Sequence, residues 1–268
     1  MRRIRQLAWL LLGVVALSSL GAGLWAPADY AMQFREAPNS PPSHEHLLGT
    51  DDLGRDRFSR VLYGTRVSLL MAPVAALLST LLATLVGGVA GYLGGWCERA
   101  AMGATDLFLS MPWLFLLLAV RAMLPLNVAP TTSVAVTFLL LGVLGWAASA
   151  RVLCAGVRGF RNSEFVLQAR ASGLHGWRLL AVHVLPNLKP VLLAQFWIAI
   201  PVFIITEANL GILGLGVSEP LPSWGSLLRE MESFASFGFE AWKLVPLVLL
   251  VLVVSSFQIV LSRDEVAA

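Results

Sequence analysis

The feature that most limits this chain is a set of charge-free apolar runs at or beyond the roughly 20 residues that a helix needs to cross the hydrocarbon core of a bilayer. Leu7 to Ala28 and Val67 to Cys97 carry no charged residue, and neither do Pro190 to Thr206 or Leu244 to Ser262. Hydrophobic residues make up 57% of the chain and charged residues 13%, against about 25% charged in a soluble domain. The composition therefore excludes one large soluble domain and places the chain in a membrane.

Six spans is the simplest division, in an all-α membrane protein. Residues 1–28 form the first transmembrane helix, with Arg2, Arg3 and Arg5 ahead of it; Ala26-Pro27-Ala28 also resembles the cleavage site of a signal peptide. Residues 29–66 form an extracytoplasmic loop, and residues 67–262 a five-helix core. Within it the second span fills the Val67–Cys97 run, and Gly91, Gly94 and Gly95 end it. The third runs from about Ala100 to Leu124, with Asp106 and Arg121 near its ends and Pro112 inside. The fourth starts after Pro130, the fifth follows Pro190, the sixth is Leu244 to Ser262, and 263–268 is a cytoplasmic tail.

With the N-terminus inside, the inner segments gather Arg2, Arg3, Arg5, Arg99, Arg151, Arg158, Arg161, Arg170, Arg178, Lys189 and Arg263. The large outer loops gather acids, among them Asp51, Asp52, Asp56, Glu219, Glu230, Glu232 and Glu240. Both termini are predicted cytoplasmic, and the net charge of +3 reads as topology rather than nucleic-acid binding. Cys97 and Cys154 then lie near the reduced side, with no Cys-x-x-Cys and no metal-ligand spacing.

A membrane transporter, one class such a chain could belong to, would need an energy source. A phosphate loop requires Gly-Lys-Ser/Thr, and the only lysines, Lys189 and Lys243, follow Leu188 and Trp242. No ATPase site and no bound cofactor are expected in this chain. An ion-coupled mechanism needs ionisable groups at mid-membrane depth, for which the candidates are Asp106, Arg121 and Glu207. Glu207 is read either as a translocation-path or gating residue or as a structural hydrogen-bond partner; Asp106 as a path residue or a helix-packing one. His44-Glu45-His46 lacks zinc-site spacing and reads as a solvated loop, Asp51 to Asp56 lacks the spacing of a calcium loop, and Trp224 reads as an interfacial anchor.

The longest polar interruption after the first loop is 151–189, between spans four and five. Phe165, Ala169, Ser172 and Gly173 repeat at helical spacing among Glu164, Gln168, Arg170 and Arg178, Gly173 suits a helix end, and His175 to Leu185 resumes helical spacing up to Pro186. The expected unit is helix, tight turn, helix. An alternative is a helix lying on anionic lipid.

The stretch Glu164-Phe165-Val166-Leu167-Gln168-Ala169-Arg170-Ala171-Ser172-Gly173, followed by His183-Val184-Leu185-Pro186-Asn187, resembles the cytoplasmic loop of permease subunits of binding-protein-dependent ABC importers, in the dipeptide, oligopeptide and nickel branch. Leu167 stands where that family usually has its glutamate, and Gln168 where it has its first alanine. Further similar segments are His46 to Asp56, Tyr63 to Leu69, Ala90 to Trp96, and Glu207 through Gly216 to Ser226. The resemblance implies an ATPase-coupling loop carried by Glu164, Phe165, Leu167, Gln168, Ala169, Arg170, Ala171, Gly173, His175, His183 and Pro186. It also implies ATP and Mg on partner ATPase subunits, a second permease, homologous or identical, an extracytoplasmic solute-binding protein, and residence in a bacterial inner membrane. A self-sufficient ion-coupled transporter and a non-transporting scaffold of the same fold are the rival expectations.

Overall fold

The structure is a computed structural model that describes residues 2–125, 128–231 and 241–262; Glu232, Glu240, Arg263 and the expected tail 263–268 lie outside the described residues. Regular structure among the described residues is helical, with two isolated bridges, Gln33 to Arg55 and Thr50 to Asp56. In chain order the helices longer than four residues are α1 (Arg2–Leu20), α2 (Arg57–Leu93), α3 (Gly95–Ser110), α4 (Trp113–Ala122), α5 (Pro130–Leu144), α6 (Ala147–Phe160), α7 (Glu164–Ala171), α8 (Gly176–Ile212), α9 (Trp224–Glu230) and α10 (Val245–Leu261).

Among the described residues, five stretches are long and apolar enough to cross a membrane: Arg3–Leu20, Arg57–Leu93, Pro130–Phe160, Gly176–Ile212 and Ala241–Leu261. The chain is an all-helical, multi-pass membrane protein. A sixth crossing exists only as α3 with α4, a pair bent by 82°. The expected single third span is therefore broken, and Pro112 explains the break. Its ring forces the residue before it out of the helical region, and Met111 is extended at φ −78° and ψ 133°.

Several expected boundaries move because a helix does not end where lipid contact ends. Helix α2 begins at Arg57, inside the expected loop 29–66. α6 continues through Arg151 and Arg158 to Phe160, since Leu153, Cys154 and Val157 bury one face while the arginines stay outside. The expected polar stretch 151–189 thus shrinks to a short insertion around α7. At Pro186, where a stop was expected, the chain makes a wide π turn over Leu180–Val184, a 3-10 turn over Pro186–Leu188, and passes into Lys189–Ile212. A widened turn removes the carbonyl clash that a proline ring would otherwise make.

By contacts the chain forms two compact units: Met1–Ala72, Arg121–Phe138 and Pro201–Ala268 make the first, Pro73–Val120 and Leu139–Ile200 the second. In the first, α1 packs along α10. The last part of the segment before α2 is pinned by ion pairs. His46 is buried with Nδ1 3.0 Å from Asp56 Oδ1, which corrects the solvated-loop expectation for that residue, while His44 and Glu45 are exposed as expected. The carboxylates of Asp51 and Asp56 are already engaged: Asp51 takes the Leu53 and Arg55 amides and Arg55 Nε, and Asp56 takes the Ser59 amide and hydroxyl. Trp224 is wholly buried and its Nε1–H donates to Thr65 Oγ1 at 3.0 Å, so it is not the expected interfacial anchor.

In the second unit, the C-terminal half of α2 crosses α6 at backbone contact. A Cβ on Gly87 would lie 2.1 Å from the Ala150 carbonyl oxygen, and one on Gly91 2.6 Å from that of Cys154. Small residues four apart on both helices allow this approach, the packing mode favoured in membranes. α3 lies against α6 through Glu98 to Arg158 at 3.1 Å and the pair Asp106 and Arg151.

Candidate functional site

Helix α7 has two faces. Val166 and Ala169 point inward into an apolar cluster with Val157, Leu179, Leu180, Val184 and Leu188, bordered by Phe160, Phe165 and Leu174. Leu167, Gln168 and Ala171 share the opposite face and are exposed, Leu167 at 50%. The expected alternative for Leu167, packing against the loop's own second helix, is not what is found. Glu164 is exposed in the first turn, where its charge suits the helix N-terminus, and Arg170 lies in the last.

The turn after α7 is a Schellman motif. Gly173 N–H donates to the Arg170 carbonyl at 3.0 Å and Leu174 N–H to the Ala169 carbonyl at 3.1 Å. Gly173 sits at φ +87°, and a Cβ there would meet nothing within 4 Å. Glycine is therefore required by backbone conformation alone. His175 is extended at φ −137° and starts the next helical turn, with Trp177 63% exposed beyond it. His183 and Pro186 lie further along: the His183 carbonyl accepts from Asn187 Nδ2 at 2.6 Å, and Pro186 is exposed. The sequence-predicted residues from Glu164 to His175 thus form one small helix–turn–helix element whose inner face is satisfied and whose outer face is bare.

The two remaining candidates belong to different units. Asp106 is exposed on α3 and paired with Arg151, in the second unit. Glu207 is fully buried in the first unit, on α8. Ser68 Oγ donates to its Oε2 at 3.1 Å and accepts the Trp224 amide at 3.2 Å, while the Ser223 hydroxyl and the Gly225 amide surround the carboxylate.

Sequence reasoning missed a second polar centre in the first unit. Arg60, fully buried, reaches Glu219 at 2.9 Å and Glu230 at 2.8 Å, with its Nε 3.6 Å from Asp51 Oδ2. Arg55 bridges Asp51 and Glu219, and Arg57 reaches Glu230 at 3.5 Å. Burial pushes the Glu230 carboxyl up from its ordinary range, against the pull of Arg60 and Arg57. Arg121, expected near an interface, is also fully buried, facing only neutral acceptors among the described residues. The signal available in the sequence was the cluster of arginines between 55 and 60 opposite the acids at 219 and 230.

Several apolar helices, one pair of them broken, and a two-faced loop define a multi-pass helical membrane protein. Residues 83–264 match the family described as "Binding-protein-dependent transport system inner membrane component", and the chain belongs to that family. It is 30% identical over 242 residues to the oligopeptide transport system permease protein OppC of Bacillus subtilis, covering 90% of this chain and 77% of that one. It is 32% identical to the dipeptide transport system permease protein DppC of the same organism, covering 83% and 67% respectively. With the glutathione transport system permease protein GsiD of Pectobacterium atrosepticum it shares 33% over 237 residues, 87% of this chain and 77% of the relative.

Proposed function

We propose that this chain is one half of the membrane pore of an ATP-driven importer that carries peptides, handed over by an extracytoplasmic binding protein, into the cytoplasm. A second permease, homologous or identical, completes the pore; ATP and Mg are held by partner ATPase subunits. Both termini and α7 face the cytoplasm, and peptides are favoured over nickel by the oligopeptide, dipeptide and glutathione names of the relatives.

The observation that carries this reading is the bare outer face of α7, with Leu167, Gln168 and Ala171 in a row ahead of Gly173. Its inner face is fastened by the chain's own core, so a push on the outer face is transmitted to α6 and α8 rather than absorbed by the loop. Helix-in-groove docking uses apolar anchors one turn apart. Leu167 and Ala171 supply them, an uncharged seat in place of the glutamate the family usually has there. Nucleotide-driven closure of two ATPases would draw two such helices together and bias the pore between two states.

The test is co-expression with a sister permease and ATPase subunits, purification through a tag on this chain, and measurement of ATP hydrolysis with and without the binding protein. Co-purification with stimulated hydrolysis is the expected result. A chain that purifies without ATPase and leaves its hydrolysis unchanged would overturn the reading in favour of a scaffold or an ion-coupled carrier.

A further inference from the structure

In the first unit a cleft of about 430 Å³ is lined by Arg121, Arg229, Gly216, Asp52 and the arginine-paired acids Glu219 and Glu230, among others. That volume falls in the range of roughly 300–1,000 Å³ typical of small-molecule sites. Four arginines contribute to its wall, and they are not equivalent. Arg55 and Arg57 are each paired with carboxylates. Arg121 and Arg229 make no ion pair among the described residues.

Arg121 is the unusual one. Its side chain is fully buried, yet its guanidinium reaches only neutral oxygens at long range: the Pro125 carbonyl at 3.3 Å, Ser133 Oγ at 3.3 Å and the Gly216 carbonyl at 3.4 Å. Its Nε has no acceptor among the described residues. A buried charge is ordinarily paired, and the planar guanidinium fork matches a carboxylate in two-point contact. Arg229, exposed on α9, adds a second unpaired guanidinium to the same wall, and the exposed Asp52 offers a negative group.

We propose that this cleft is a cargo subsite that takes the free carboxylate of a short peptide, with Arg121 as its principal ligand and Arg229 as its second. The proposal rests on the peptide-permease reading and gives it a chemical selectivity. The complete burial of Arg121 favours a small cargo group over a side chain presented on a protein surface. Asp52 on the same wall suits the ammonium end of a zwitterion.

The experiment is equilibrium dialysis of the purified full-length chain in lipid nanodiscs against trialanine and trialanine carboxamide, which differ only in the terminal charge. The expected result is binding of the acid with about tenfold weaker binding of the amide, a difference reduced or lost in both Arg121→Gln and Arg229→Gln. Arg229 is exposed, so its variant tests the site even where the buried substitution impairs folding. Equal binding of acid and amide, binding of neither, or a preference that survives in the folded variants overturns the proposal. Carboxylate binding that emerges only in Glu232→Gln or Glu240→Gln also overturns it, because an acid of the chain itself then fills the site. Failure of the permease reading shows separately, as absent stimulation of ATP hydrolysis in an assembly whose acid preference is intact.

Discussion

Ser68 and Glu207 lie 139 residues apart in the chain and meet in the interior of the first unit, where the Ser68 hydroxyl donates to Glu207 Oε2 at 3.1 Å. The same hydroxyl accepts the backbone amide of Trp224 at 3.2 Å, so one serine ties α2 to α8 and to the start of α9. A buried acid in a transporter invites a proton-relay role. Its surroundings here are those of a three-way structural tie.

Glu207→Gln is therefore expected to fold and to retain ATP-dependent uptake, since an amide oxygen still accepts from Ser68. Glu207→Leu leaves the Ser68 hydroxyl without its acceptor and is expected to lose about 1–3 kcal/mol of stability. Thermal melting in detergent orders the two variants. Abolished uptake in a well-folded Glu207→Gln protein would support the ion-coupled carrier instead.

Position 173 isolates backbone conformation from packing, because a side chain there meets nothing within 4 Å while φ is +87°. Gly173→Ala and Gly173→Val are expected to cost about 1–2 kcal/mol through the left-handed conformation alone, and Gly173→Asn less. Binding-protein-stimulated ATP hydrolysis should fall in the order Gly, Asn, Ala, Val. Gly173→Pro removes the amide that caps α7 and should uncouple completely while the chain still inserts.

Gly87 and Gly103 make an internal control for close helix approach. Alanine at either position gains up to about 1 kcal/mol of helix propensity. A Cβ at Gly103 meets nothing within 4 Å, whereas one at Gly87 runs into the Ala150 carbonyl. Gly103→Ala is expected to be neutral or slightly stabilising, and Gly87→Ala to lose about 1–3 kcal/mol through overpacking. Equal melting temperatures for the two would refute the crossing.

Arg60→Met deprives Glu219 and Glu230 of a shared, wholly buried partner, but Glu219 keeps Arg55 and Glu230 keeps Arg57, so the expected loss is about 1–3 kcal/mol. Arg60→Lys retains the charge but loses the fork, and should fall between wild type and Arg60→Met. Protease resistance of the purified protein, followed against temperature, checks the order.

The sequence was most legible where one physical rule acts locally. Apolar runs located the crossings, and helical spacing with Gly173 located the helix–turn–helix. Ends of helices were misplaced at Arg57 and Phe160 because hydropathy reports contact with lipid, not hydrogen bonding along the backbone. The bend at Pro112 was present in the sequence, but a proline inside a membrane helix is often tolerated, and only the structure distinguishes a kink from a break. Arg121 looked like a charge near an interface, and Arg60 drew no reading within the outer loop, because their surroundings come from far along the chain; Glu219 and Glu230 follow Arg60 by 159 and 170 residues. The spacing of Gly87 and Gly91 carried a signal of close packing that was read only as a helix end for Gly91.

The bare outer face of α7 separates folding from assembly. The inner face completes itself with Val157, Leu179 and Val184, whereas Leu167 and, past the turn, Trp177 are exposed. If the proposed importer reading holds, a copy synthesised in excess of its ATPase would be folded yet unfinished, presenting an adhesive apolar surface. Under this reading the cell has reason to make the subunits in fixed proportion, and the abundance of this chain should track that of its partner rather than its own transcript.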